Sequence, residues 1–163
     1  MKQDIVDQLL DQWTIERPKS DVSALGVVVR IQMLAKSLHR QTTIALKKHG
    51  LKHWEYDVLS VLRRQGTPFE MASTEIARAA MLSSGAMTTR IDGLESRGLV
   101  RRRRSRTDRR SVSVRLTTKG KKSIDLAIET RMEDARKVLD NIQGSSRKQL
   151  ADSLRCLLLD VDK

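Results

Sequence analysis

The chain has 163 residues, with 32 lysines and arginines against 20 aspartates and glutamates, a formal charge of +12. That length allows one domain with a real core, or a small domain with a dimerisation extension, and the cationic excess favours a polyanionic partner. Aromatic residues make up only 2%, which argues against a stacking platform for single-stranded nucleic acid, and a single cysteine, Cys156, excludes an intrachain disulfide and a zinc framework.

No apolar run approaches the roughly 18 residues of a membrane span. Met1 to Asp11 mixes acids with apolar positions, unlike a charged-then-apolar leader. The expectation is a cytoplasmic, nucleoid-associated protein with no membrane partner. Two prolines and eight glycines leave few interruptions, so long helices should dominate.

In chain order, residues 4 to 17 place Ile5, Leu9 and Trp13 four apart, with Val6 and Leu10 on the adjoining row. This predicts a short amphipathic helix that Pro18 stops, with Trp13 as a packing anchor. Ser20 or Asp21 is expected to cap a longer second helix with the stripe Val27, Ile31, Leu34, Leu38 and Ala45, ending at Lys47, Lys48, His49 and Gly50. His49 and His53 have the spacing of helical metal ligands, but Gly50 interrupts them and no third ligand lies near in sequence, so no metal is expected. A third helix from about His53 to Arg64 should bury Tyr56, Val58, Leu59 and Leu62. Gly66, Thr67 and Pro68 end it, Phe69 to Met71 reads as a minor strand, and Ser73 is expected to cap a helix of barely two turns, Glu75 to Ala80.

The stretch from Ser83 to Leu116 organises the rest. Ser83 or Ser84 can cap a helix whose buried stripe is Met87, Ile91 and Leu94, and Gly98 can end it in the left-handed conformation. Between Arg97 and Arg110 lie eight arginines and one acid, Asp108. Val112, Val114 and Leu116 alternate with Ser113 and Arg115 as in a half-buried strand, so the run belongs to a hairpin that turns at Arg106, Thr107, Asp108 and Arg109. Two short helices joined by about four residues, the second with a small polar outer face beside a basic hairpin, describe a winged helix-turn-helix. Thr117 then caps a helix with the stripe Ile124, Ile128, Met132, Ala135, Leu139 and Ile142, and a last helix carries Leu150, Leu154, Leu157 and Val161. These faces exceed what a winged helix of about 70 residues could cover, so two copies should bury them together. Cys156, among leucines, is expected to be a buried thiol.

The expected fold class is therefore mainly α with a small β hairpin, a winged helix-turn-helix forming a homodimer through its N- and C-terminal helices. The expected organisation is 1–50 for N-terminal dimerisation helices, 51–117 for a DNA-binding lobe and 118–163 for C-terminal dimerisation helices. On the recognition helix Ser83, Ser84, Thr88, Thr89 and Arg90 are the candidate DNA contacts, being small donors and acceptors with one long cation. On the wing the candidates are Arg104, Arg106, Asp108, Arg109 and Arg110, with Asp108 bracing an arginine toward a narrow minor groove. Alternation predicts that about half of Arg101 to Arg104 face DNA.

Over roughly Val22 to Ile128 the sequence resembles the MarR family of bacterial transcriptional regulators. The resemblance is carried by Leu82-Ser83-Ser84-Gly85-Ala86-Met87-Thr88, Arg90-Ile91-Asp92, Leu94-Glu95 and Gly98-Leu99-Val100, and then by Asp108, Arg110, Val114, Leu116, Thr117 and Gly120 at the wing and the following helix. It implies a dimer whose recognition helices enter successive major grooves of double-stranded DNA. Gln12-Trp13, Glu16-Arg17-Pro18 and Leu25-Gly26-Val27 look like the urate-responsive, PecS-like branch with an extra first helix. That branch implies a small anionic or aromatic effector such as urate, with Trp13, Asp57, Arg90 and Arg102 at the matching effector positions; indole packing and guanidinium pairing suit such a ligand. The alternatives are a thiol-based oxidant sensor acting through Cys156, or a non-specific architectural nucleic-acid-binding protein. No catalytic constellation, Gly-rich phosphate loop or cofactor site is recognisable, so no enzyme activity is expected.

Overall fold

The computed structural model describes residues 2–80, 83–104 and 112–161, the side chains of Ser84 and Arg104 excepted. The chain forms two compact units, Met1–Lys48 and His49–Lys163.

The first unit is a helix pair, α1 (Ile5–Glu16) and α2 (Ser23–Lys47). Asp4 caps α1 by accepting the amides of Val6 and Asp7, while the Asp7 carboxylate accepts the Asp4 amide. Arg30 of α2 reaches back to both carboxylates. The helices meet where Gly26 lacks a side chain: a Cβ there would come within 2.7 Å of Leu10 Cδ1. The side of α1 turned to α2 is therefore the row of Val6 and Leu10, and the expected stripe is corrected, since Ile5 and Trp13 are exposed. The capping expectation for α2 is also corrected. Val22 is the N-cap, and Asp21 instead accepts the Ser23 amide just outside the helix.

The second unit contains α3 (His53–Arg64), β1 (Glu70–Ala72), α4 (Ser73–Ala79), α5 (Ser84–Ser96), β2 (Val100–Arg104), β3 (Val112–Leu116), α6 (Thr118–Val138) and α7 (Gly144–Val161). The strands form an antiparallel sheet in the order β1-β3-β2. Val58, Leu59 and Leu62 of α3, Ile76 of α4, Met87, Ile91 and Leu94 of α5, Val100 and Val114 of the hairpin and Ile124 of α6 are fully buried. This is one core, built from the helical and strand periodicities together. Tyr56 is only half-buried, and Val61 is the further buried position of α3. Glu55 is buried too, with 2% exposure, because its carboxylate accepts the Lys52 amide at the start of α3 and pairs with Arg97.

Two further sequence expectations fail at helix ends. Ser73 is not a cap but the first residue of α4; Ala72 is the cap, and Glu75 accepts its amide. The Ser73 hydroxyl donates instead to the Val112 carbonyl at 3.0 Å, tying α4 to β3. α6 stops at Val138 rather than running on to Gly144, and Arg147 donates to the carbonyls of Leu139 and Ile142 beyond its end. Cys156 is exposed rather than buried, because no residue of α7 is buried within one chain.

α6 crosses the entry to the hairpin at Gly120, which is buried. A Cβ there would overlap the main-chain carbonyl of Leu99, a group fixed by its hydrogen bond from the Thr117 amide. Gly120→Ala is expected to destabilise the protein by about 3 kcal/mol in urea denaturation. Gly144→Ala, where a Cβ meets open space, is expected to be neutral or slightly stabilising.

The Arg30 hydrogen bond, ahead of the Asp7 and Val6 amides, holds the Asp4 carboxyl at about 2, below its ordinary 3.8. The sign follows from the depressed native value: the contribution is complete above the ordinary value and lost as the pH falls through about 2. Hydrogen exchange should therefore show α1 protected at pH 5 and opening selectively between pH 4 and 2. Asp4→Asn, which keeps a capping oxygen but loses the ion pair with Arg30, should lower that protection modestly at pH 5 and remove most of its change between pH 4 and 2.

Candidate nucleic-acid interface

The local sequence builds the helix-turn-helix from α4 and α5. Ser83 accepts the Ala86 amide, so this serine is the N-cap of α5 as well as a candidate contact. Met87, Ile91 and Leu94 bury one face; Thr88 and Thr89 lie exposed on the other, with Arg90 half-buried beside them. The Thr89 hydroxyl donates to the Gly85 carbonyl at 3.4 Å. Gly98 follows the helix with φ +67°, a conformation that glycine takes without strain, and turns the chain into β2.

Trp54 of α3 supports this helix from beneath. Its ring lies under the Arg90 guanidinium, 5.5 Å from centroid to Cζ. A Cβ on Gly93 would stand in ordinary contact with the same ring, 3.5 Å from its edge. Sequence reasoning missed Trp54; the glycine and arginine three apart on the facing helix were the available signal, once α3 and α5 were known to pack.

The hairpin is fastened to α5 by one arginine of the run. Arg102 pairs with both Asp92 and Glu95, its amide donates to Glu95, and its guanidinium also reaches the Thr88 carbonyl at 3.4 Å. Partial burial works against its charge, but the bonds to Asp92 and Glu95 outweigh it, so the guanidinium is held protonated above its ordinary value. Strand alternation places Arg101 and Arg103 on the other face, and both are exposed. Backbone pairing continues to Arg104↔Val112. Of the expected wing contacts, the Arg104 side chain and Arg106, Asp108, Arg109 and Arg110 lie outside the described residues, as does the side chain of Ser84.

The effector candidates have separate attachments. Asp57 is hydrogen-bonded to His53, with 3.1 Å between Oδ2 and Nδ1. Arg90 covers Trp54, the residue next to His53, and Arg102 is held by its two carboxylates. Trp13 belongs to the first unit, where its side chain is about half exposed, at 45%. His49 binds Thr130 at 2.8 Å, and among the described residues no three potential ligands gather into a metal site. Among the described residues no helix is long and apolar enough to cross a membrane.

Arg102→Gln is expected to cost about 1–2 kcal/mol in denaturant unfolding, because it breaks two partly shielded ion pairs and leaves two carboxylates together. Arg103→Gln, on the exposed face, should change stability by less than about 0.5 kcal/mol. Equal effects of the two would show that the brace carries no stability.

Residues 49–111 match the model of the MarR family. The chain is 32% identical over 158 residues to the HTH-type transcriptional regulator PecS of Dickeya dadantii, covering 97% of this chain and 93% of that protein. In structure it is similar to AbsC, a MarR family transcriptional regulator from Streptomyces coelicolor, with a TM-score of 0.77, 21% identity and coverage of 88% of this chain and 96% of that one. It is also similar to a mutant of MarR from E. coli complexed with operator DNA, with a TM-score of 0.70, 21% identity and coverage of 96% and 99%. The chain belongs to the MarR family of transcriptional regulators.

Proposed function

We propose that this protein is a sequence-specific regulator, acting as a repressor, that binds a pseudo-palindromic site in double-stranded DNA as a homodimer and leaves it when a small anion binds. The observation that carries the reading is α5: a capped helix with Thr88, Thr89 and Arg90 turned outward and an arginine-rich hairpin fastened to its side. Small hydroxyls allow close approach to base edges, and Arg103, exposed on the hairpin, suits phosphate contact. The similarity to PecS along nearly the whole chain supports the same reading.

The dimer follows from surface chemistry. Leu34 and Leu38 of α2 and Leu154, Leu157 and Leu158 of α7 are exposed in one chain, and apolar helix faces of this extent belong against a second copy. The N- and C-terminal helices are its proposed interface. Inside a cell such a protein would be cytoplasmic and associated with the nucleoid.

For the effector, the reading is urate or a related purine anion, with Asp57, Arg90 and Arg102 as its contacts and Trp13 as a further residue implied by the family branch. Arg90 offers a cation already backed by an aromatic ring. Arg102 is committed to Asp92 and Glu95, so a ligand that takes it must displace one of them and thereby loosen the hairpin from α5. That exchange is a direct route from ligand to DNA affinity.

The test is fluorescence anisotropy on the duplex upstream of the protein's own gene, against a scrambled duplex at the same salt, with urate then added. A preference of at least about 1,000-fold supports sequence-specific regulation; equal binding that falls with salt alone would establish the architectural reading instead. Asp57→Asn should keep the DNA preference and need at least about tenfold more urate for release. Release unchanged in that variant would remove Asp57 from the mechanism. Release of the wild type by peroxide, lost in Cys156→Ser, would replace the anion with a thiol switch.

A further inference from the structure

We infer that the sheet face turned away from α5, at the base of the hairpin, is a second binding pocket, for a small organic anion that sets its acidic group between Arg101 and Arg115. The inference stands apart from the effector reading, because none of the four effector candidates lines this pocket.

Register creates the site. Arg101 is the direct cross-strand partner of Arg115, and Arg115 is also the partner of Glu70 on its other side. Like charges directly opposite one another in an antiparallel pair repel. Among the described residues neither guanidinium has a carboxylate partner, and the Ser113 hydroxyl donates to Glu70 Oε1. An anion bridging the two guanidiniums turns that repulsion into forked, charge-assisted hydrogen bonds.

A concavity is present to receive it. A cavity of about 360 Å³ opens beside the arginine pair, lined also by Phe69, Leu116, Thr117, Thr118 and Lys121. Phe69 has φ +60°, a left-handed conformation that is strained for a side chain of this size. It is held there because the Phe69 amide donates to the Gly66 carbonyl and the Leu116 amide donates to the Phe69 carbonyl. Arg63 and Lys121 lie over its ring at 4.9 and 5.7 Å. Both of those cations also bond Asp125, so one carboxylate serves two cations and offsets only part of the positive charge around the cavity. The N-terminal end of the 21-residue α6, capped by Thr117, borders the same cavity and adds to its positive potential.

The pocket is separate from the DNA-reading features. Arg102 points to α5, so its neighbour Arg101 points the other way. The Arg101–Arg115 pair is three register steps from Arg104↔Val112, about 10 Å short of the end of the described hairpin.

The experiment follows backbone amides of the full-length protein by NMR as phenyl phosphate is added, with inorganic phosphate and benzoate in parallel. Saturable shifts at Phe69, Thr117 and Thr118 are expected with phenyl phosphate or benzoate. Arg115→Lys, which keeps the charge and loses the fork, should weaken binding at least about tenfold, and Arg101→Gln with Arg115→Gln should abolish it. Arg90→Gln should leave it unchanged, and Arg115→Lys should keep operator affinity within about twofold. Shifts that never saturate, or equal binding by wild type and the arginine variants, overturn the proposal. Inorganic phosphate binding as tightly as both organic probes overturns the organic ligand, and a large loss of operator affinity in Arg115→Lys makes the pair a DNA phosphate contact instead.

Discussion

Arg102 turns out of the cationic run and into two carboxylates, and the geometry of the helix-turn-helix depends on that turn. Its side chain and amide between them reach Asp92, Glu95 and the Thr88 carbonyl. The hairpin therefore cannot swing without pulling on the helix whose outer face carries Thr88, Thr89 and Arg90. The link between them is closed from the other side as well: the Thr117 hydroxyl donates to the Gly98 carbonyl and Lys119 donates to that of Arg97. A short connection with both ends bonded moves as a unit, which is how a change at one charged group can alter helix and hairpin together.

The buried Glu55 performs a related task with a different energetic character. Its carboxylate closes the start of α3 and fixes Arg97 at the end of α5, while Arg97 also donates to the Gly50 carbonyl. Removing a carboxylate from water is costly, and a pair of this kind is better understood as setting register than as adding stability. It sets the end of α5, as Trp54 sets the helix's height by lying against Gly93 and Arg90. The two supports come from one short helix, so α3 acts as the platform on which α5 is mounted.

Features that depend on neighbours in sequence were legible before the structure. Ser83 and Thr117 cap their helices and Gly98 ends α5, because a cap needs only a side chain and the amides two or three residues on. The buried stripe Met87, Ile91, Leu94 was legible for the same reason, as periodicity is a local property. Ser73 was not, since its hydroxyl prefers a carbonyl 39 residues away to its own helix. Alternation showed that Arg101 to Arg104 divide into two sets, but not which set turns inward; Asp92 and Glu95 decide that, and their reach is tertiary. Cys156 failed differently: its leucine neighbours suggested a buried thiol, but within one chain no residue of α7 is buried and Cys156 is exposed.

The cationic excess therefore does several kinds of work, and its total says little about any of them. One arginine of β2 is neutralised to join hairpin and helix, while its neighbours on either side are left facing solvent on the opposite face. A uniformly solvated basic strand would attract any polyanion and fasten nothing. Because the pleat separates the two sets at single-residue spacing, five residues of strand provide a structural brace and an exposed positive face at once. The acids of α5 are essential to this division: without Asp92 and Glu95 the two ion pairs of Arg102 are gone, and the hairpin would lose its fixed position relative to α5.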